Sequence, residues 1–212
     1  MEWAGTDQTN GRNVWYVNDS NSPGGDFEFN GRGATYDYTK AQRKIIGDGI
    51  PNFYGGINSN LDYKSFSLAL NFNYKIGGKL YDAAIKDVAD DGYYWERIHS
   101  QYFIDESWSP SNPTGTLPVV SGRDLEDVNQ ISSRHLYDAS FLRLKNVSLT
   151  YRIPNEILNR IRISNASIFF NGSNLLTFSK YKIADPEVNQ YSTRGWEIPI
   201  AKTYTFGIDF SF

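Results

Sequence analysis

Residues 55–78 read GGINSNLDYKSFSLALNFNYKIGG, and the fold turns on them. Ile57, Leu61 and Tyr63 alternate with Asn58, Asn60 and Asp62. Beyond Lys64–Ser65, Phe66, Leu68, Leu70, Phe72, Tyr74 and Ile76 alternate with Ser67, Ala69, Asn71, Asn73 and Lys75. Successive side chains on a strand point to opposite faces, so this period of two predicts a hairpin with one apolar face and a tight turn at 64–65. Its second arm holds the alternation for eleven residues. A tilted strand of about 9–11 residues is what a bilayer core requires.

The same pattern returns three times. In DASFLRLKNVSLTYRIP (138–154), Val147, Leu149, Tyr151 and Ile153 share one face, Asn146, Ser148, Thr150 and Arg152 share the other, and Pro154 stops the run. NEILNRI (155–161) is a short connection, and RISNASIFFNGSNLLTFSKY (162–181) is a further long strand with Ala166, Ile168 and Phe170 on one side. The last strand, 201–212, carries TYTFGIDFSF: Tyr204, Phe206, Ile208 and Phe210 line one face, with Thr205, Gly207, Asp209 and Ser211 between them. Such an apolar face on a soluble edge strand is an aggregation hazard, so something must cover it.

Connections between these strands alternate in length. Those at 64–65 and 155–160 are short, while those at 77–137 and 181–199 are long. A connection of some sixty residues is far beyond the usual range, and such loops tend to carry function. Short turns at one end, long loops at the other and a strand-borne apolar face are the pattern of a transmembrane β-barrel. The expected fold is therefore all-β: about five antiparallel strands of a large barrel, over 55–212, with 1–54 as an extracellular-loop region. In 1–54, Val14–Val17 is the one strand-like piece amid turn-forming Gly, Asn and Asp. Within 77–137 a helix is expected around Asp82–Asp90.

Composition agrees. Fifteen Tyr, 13 Phe and 5 Trp make 16% of the 212 residues, an aromatic load suited to strands with one apolar and one polar face. A net charge of −3 gives no basic field for nucleic acid. Cysteine is absent, which removes disulfides, thiolate metal sites and a Cys nucleophile. The apolar runs are too short for a transmembrane helix, and MEWAGTDQTN shows no signal peptide. The chain is thus either cytosolic or part of a longer one exported by a signal upstream.

Several motifs occur in order. IGDGIPNFYGGINSNLDYKSFSLALNFNYKIGGKLYD (46–82), SSRHLYDASFLRLKNVSLTYRIP (132–154), FFNGSNLLTFSKYKIADPEV (169–188) and IPIAKTYTFGIDFSF (198–212) resemble the closing motifs of SusC/RagA-type TonB-dependent transporters. WAGTDQTNGRNVWY (3–16) is similar to a further motif of that family. The resemblance covers nearly the whole chain. It implies the C-terminal portion of an outer-membrane importer from Bacteroidetes-type bacteria, with a barrel of roughly twenty-two strands. It also implies a plug, a TonB complex engaged through parts absent here, and a SusD-like lipoprotein lid. The substrate would be an oligosaccharide or a peptide, with no cofactor and no enzymatic activity. Phe212 would match the C-terminal aromatic by which such barrels are recognised for assembly.

Site candidates follow from these readings. Tyr93, Tyr94, Trp95, Tyr102 and Trp108, with Phe103 among them, are placed to stack on a sugar ring or to meet the lid; the competing reading is that they pack the loop. Tyr204, Phe206, Ile208, Phe210 and Phe212 are expected to face lipid. Arg143 and Lys145 would meet lipopolysaccharide phosphates or form loop salt bridges, and Asp185-Pro186-Glu187 would shape a loop. The long loop holds ten acids against five Lys/Arg between Lys79 and Arg134. Its pairs Asp90–Asp91, Asp105–Glu106 and Glu126–Asp127 are oxygen donors suited to Ca²⁺, although solvated acids are the commoner outcome and no metal site is assigned. His99 and His135 read as ordinary loop histidines. No P-loop, zinc-protease or nucleophile-elbow motif is present. The alternative function is a soluble or surface-exposed β-sandwich that binds glycans, which would bury its apolar faces against a second sheet.

Overall fold

Period-two alternation becomes a five-stranded antiparallel sheet in the computed structural model, which describes residues 1–17, 24–94, 96, 99–122, 129–189 and 191–212. In chain order the strands are β1 (Trp3–Thr6), β2 (Asn13–Tyr16), β3 (Phe27–Phe29), β4 (Arg32–Thr35), β5 (Phe53–Tyr63), β6 (Phe66–Ile76) and β7 (Lys79–Asp82). Helices α1 (Ala83–Val88) and α2 (Gln101–Glu106) follow, then β8 (Leu136–Asp138), β9 (Phe141–Arg152), α3 (Asn155–Ile161), β10 (Asn165–Ser179), β11 (Thr193–Arg194) and β12 (Thr203–Ser211). Two units partition the chain: Met1–Asp48, Leu80–Tyr137 and Thr193–Trp196 in one, Gly49–Lys79, Asp138–Ser192 and Glu197–Phe212 in the other.

The second unit is the long-stranded sheet, in the order β12-β10-β9-β6-β5. Its register assembles the apolar face row by row. Tyr63, Phe66, Tyr151, Ile168 and Ile208 stand side by side, and Leu61, Leu68, Leu149, Phe170 and Phe206 form the next row. Further along come Ile57, Phe72, Leu144 and Leu176. Rings pack across the strands, with Phe170 and Phe206 centroids 4.9 Å apart and Phe66 and Tyr151 4.7 Å apart; cross-strand aromatic pairs are the strong units of a sheet. The opposite face is a polar ladder in which Asn58, Asn71, Asn146 and Ser173 share one row. There Asn71 donates to Asn58, and Ser173 Oγ donates to Asn146 Oδ1 at 3.1 Å.

Two local devices keep the faces consistent. Lys64 turns the β5–β6 hairpin with φ of 54°, in the left-handed region where a side chain is disfavoured. A bulge in β9 carries Lys145 as an extra residue, because Asn71 pairs with Asn146 while Phe72 pairs with Leu144. The extra residue reverses the parity of the chain, so even-numbered Leu142 and Leu144 join odd-numbered Val147 and Leu149 on one side.

The first unit holds a four-stranded sheet, β1-β2-β4-β3, and the small sheet β11-β7-β8. The helix expected around Asp82–Asp90 is α1, capped by Asp82, whose carboxylate accepts from Ile85 N at 2.9 Å. Phe103 of α2 packs into a core with Ile85, Ala89 and Leu117. Residues 1–54 contain more than the single strand expected from sequence: β1, β3 and β4 pair with or beside β2. No helix among the described residues is long and apolar enough to cross a membrane, which says nothing about crossing by strands.

Candidate functional site

On the polar face of the long sheet, at the end where β5 begins and β6 finishes, cross-strand register sets Tyr54, Lys75 and Phe141 in one row. Gly56, Asn73 and Arg143 form the next. Residues 181–189, with Ser192, close one side of this patch and leave a groove of about 660 Å³, lined among others by Tyr54, Asn73, Lys75, Phe141, Glu187 and Asn189.

Arg143 holds that segment. Its side chain is 1% exposed; Nε donates to Thr177 Oγ1 at 3.1 Å and Nη1 to Glu187 Oε2 at 2.7 Å. Nη2 donates to Asp185 Oδ1, the same oxygen that accepts from Glu187 N at 2.9 Å. Lys145 Nζ adds a longer contact to Glu187 at 3.7 Å. A buried guanidinium is tolerable when its donors are met by charge and hydrogen bonds, and its planar fork spans three acceptors as an ammonium would not. Farther along, Ser192 Oγ donates to Gly49 O at 2.7 Å, and at the near end Tyr181 is buried with its N–H on Ser179 Oγ. Of the two readings open for Arg143 and Lys145, the geometry is that of loop salt bridges. The partnership of LRLKN with the Asp-Pro-Glu motif was not read from sequence; two carboxylates spaced i, i+2 about a proline were the only signal for it.

The loop aromatics divide. Tyr93 and Tyr94 are half-buried and meet edge-to-face at 4.8 Å, with Tyr94 N donating to Asp90 Oδ2 at 3.1 Å. Trp108 lies over Gly11, and its indole N–H donates to Gln8 O at 3.0 Å, so it holds the 7–11 turn. Tyr102 is exposed, Phe103 is core, and Trp95 lies outside the described residues. Packing thus accounts for Trp108 and Phe103 and leaves Tyr102 open to solvent.

The paired acids are engaged in structure. Asp91, fully buried, accepts from Arg134 Nη1 at 2.8 Å and Asn13 Nδ2 at 3.1 Å. Its other oxygen sits 2.7 Å from Arg134 Nη2 without the alignment of a hydrogen bond. Asp90 takes the N–H groups of Gly92 and Tyr94. Asp105 accepts from Gln101 Nε2 at 2.7 Å and Glu106 from Thr116 Oγ1 at 2.7 Å; Glu126–Asp127 lies outside the described residues. Among the described residues no group of three or more acids or histidines could hold a metal ion. His135 is buried beside Tyr81, and burial, reinforced by Arg134 and Lys86, pushes its pKa down to about 3. It stands neutral at physiological pH. His99 stacks on Phe103 at 4.5 Å with Nδ1 3.0 Å from Val88 O, a packing role.

The expected lipid-facing residues do share one face: Tyr204, Phe206, Ile208 and Phe210 project on the apolar side, and Phe206 is 76% exposed. Phe212 lies just beyond β12, its ring 5.8 Å from that of Phe210.

No family model matches the chain. TonB-dependent receptor P3 of Formosa agariphila is 30% identical over 203 residues, which is 90% of this chain and 19% of that protein. TonB-dependent receptor P26 of the same organism is 25% identical over 180 residues, 79% of this chain and 18% of that one. Among solved structures, the RagAB peptide transporter matches all of this chain and 22% of its own, with a TM-score of 0.78 at 29% identity. The RagAB peptide importer in its open-open state matches with a TM-score of 0.70 at 27% identity. The chain spans about a fifth of the length of these relatives.

Proposed function

Since the chain belongs to the TonB-dependent receptors of the SusC/RagA type, we propose that it supplies part of the wall and outer loops of an outer-membrane importer. The observation that carries this reading is the two-faced sheet. Five strands stack their aromatic and aliphatic residues in continuous rows on one side, while Asn, Ser and Thr ladders occupy the other. A lipid-facing wall around a wet interior needs this division. A glycan-binding sandwich would instead bury the apolar rows against a second sheet, and the exposure of Phe206 and Tyr204 does not favour it.

In this reading Tyr204, Phe206, Ile208 and Phe210 meet lipid. Tyr102, with the Tyr93–Tyr94 pair nearby in sequence, is the loop contact for substrate or for a SusD-like lipoprotein lid. The cargo is an oligosaccharide or a peptide, and energy reaches the barrel through a TonB complex engaged by other parts of the protein. The peptide option draws on the RagAB importer, whose name carries that cargo. Deleting the full-length gene and restoring it should abolish and recover energy-dependent uptake of the cargo, and cell fractionation should find the protein in the outer membrane. Recovery in the soluble periplasm without detergent would sink the reading.

A further inference from the structure

The groove between residues 181–189 and the polar face has an uneven charge balance. Glu187, its acidic wall, is already neutralised by Arg143 at 2.7 Å and Lys145 at 3.7 Å. Lys75, in cross-strand register between Tyr54 and Phe141, has no ion-pair or hydrogen-bond partner for its Nζ among the described residues. Asn73 and Asn189 bring amide groups to the same space. The groove therefore holds a free ammonium among its lining residues, on the strand between those that carry Tyr54 and Phe141, with the two amides in the same concavity of about 660 Å³. A cation in a partly dehydrated cleft attracts an anion more strongly than one in open water. The rings favour a ligand whose body is apolar or has a flat CH face. The strap keeps Glu187 fixed on Arg143, so the acid that would repel an anion is held in an ion pair.

We propose that this groove is a carboxylate-binding subsite, with Lys75 as the anion-binding group, Tyr54 and Phe141 as the walls, and Arg143 as the residue that positions the 181–189 strap. The proposal rests on the import reading above and narrows its cargo to solutes bearing a carboxylate. Two sources share that chemistry: the free C-terminus of a peptide and the uronic acid of an acidic oligosaccharide.

The full-length receptor, purified in detergent, distinguishes them. Four probes suffice: N-acetyl-trileucine, its C-terminal amide, trigalacturonate and the fully esterified trimethyl ester of that trimer. At least one acid is expected to bind more tightly than its neutral counterpart. Lys75→Gln should weaken that acid by roughly tenfold or more and leave the neutral counterpart unmoved, as loss of one charge-assisted contact predicts. Lys75→Arg should keep the preference, and Lys75→Glu should reverse it, so failure of one variant to fold leaves the others to decide. A peptide preference with no uronate preference assigns the peptide source, and the converse assigns the sugar. Equal binding of acids and neutral forms, absence of acid binding, or indifference to Lys75→Gln would each overturn the proposal. Energy-dependent uptake of a neutral solute alone would overturn it too, while leaving the import reading intact.

Discussion

Arg143 Nη1 lies 2.7 Å from Glu187 Oε2, joining residues 44 apart in the chain across the polar face of the sheet. The pair is asymmetric: the guanidinium is 1% exposed and the carboxylate 36%. Removing the cation leaves acids that water can reach. Removing the acids leaves a cation that water cannot. Asp185→Asn with Glu187→Gln is therefore expected to cost more than Arg143→Met, on the order of 3–5 kcal/mol for stranding the buried charge. Thermal unfolding of the full-length receptor in detergent measures the order. Limited proteolysis at 181–189 should quicken in both variants, and equal resistance would count against the strap.

Opposite faces of β12 should respond oppositely to charge. Phe206 sits in the row of Leu61, Leu68, Leu149 and Phe170, and Thr205 sits beside Asn171 on the polar face. Phe206→Arg is expected to destabilise the full-length barrel by about 2–4 kcal/mol, the depth-dependent cost of a cation on a lipid face. Thr205→Arg should cost much less. Outer-membrane yield of the two variants checks this, and equal yields would remove lipid from the apolar side.

The long strands were legible because burial on one face writes itself as alternation, and β5, β6, β9, β10 and β12 all carry it. The β9 bulge at Lys145 is where that signal breaks: Leu142 and Leu144 have the wrong parity for Val147, so the apolar face could be followed only from Val147 onward. The short strands β1, β3 and β4 hold three or four residues each, too few for a period to show, and tertiary pairing stabilises them. Helix α2 was missed for a similar reason, since one buried residue, Phe103, anchors its six. The groove was invisible because its parts, Tyr54, Lys75, Phe141 and Glu187, come from four separate stretches.

A glycine in the closing motif has a steric reason. Gly207 pairs with Phe169 on the polar face, and a Cβ at 207 would lie 2.3 Å from the tip of that ring. The ring covers the bare backbone. Gly207→Val should force Phe169 aside at about 1–3 kcal/mol, the usual cost of overpacking. Adding Phe169→Ala should recover part of that loss, giving a coupling between the two sites in a double-mutant cycle of folded yield. Strictly additive losses would mean that Phe169 is not what excludes the side chain.

His135 makes the loop unit sensitive to acid. Its pKa is depressed from 6.5 to about 3, first by burial and then by Arg134 and Lys86, with the Tyr81 ring edge-on at 6.3 Å. A depressed folded-state pKa means that the unfolded form takes the proton first. Stability from this residue is thus complete above about pH 6.5 and falls as the pH drops towards 3, by up to about tenfold in the folded-to-unfolded ratio per pH unit. His135→Phe keeps a flat ring in a site where Nδ1 has no hydrogen-bond partner, and it removes the titration. Hydrogen exchange of the amides around Phe103 and Ile85, measured on the full-length receptor from pH 7 to pH 4 and corrected for intrinsic rates, should show protection falling more steeply in the wild type than in His135→Phe. Parallel slopes would mean that the histidine already titrates normally in the folded state.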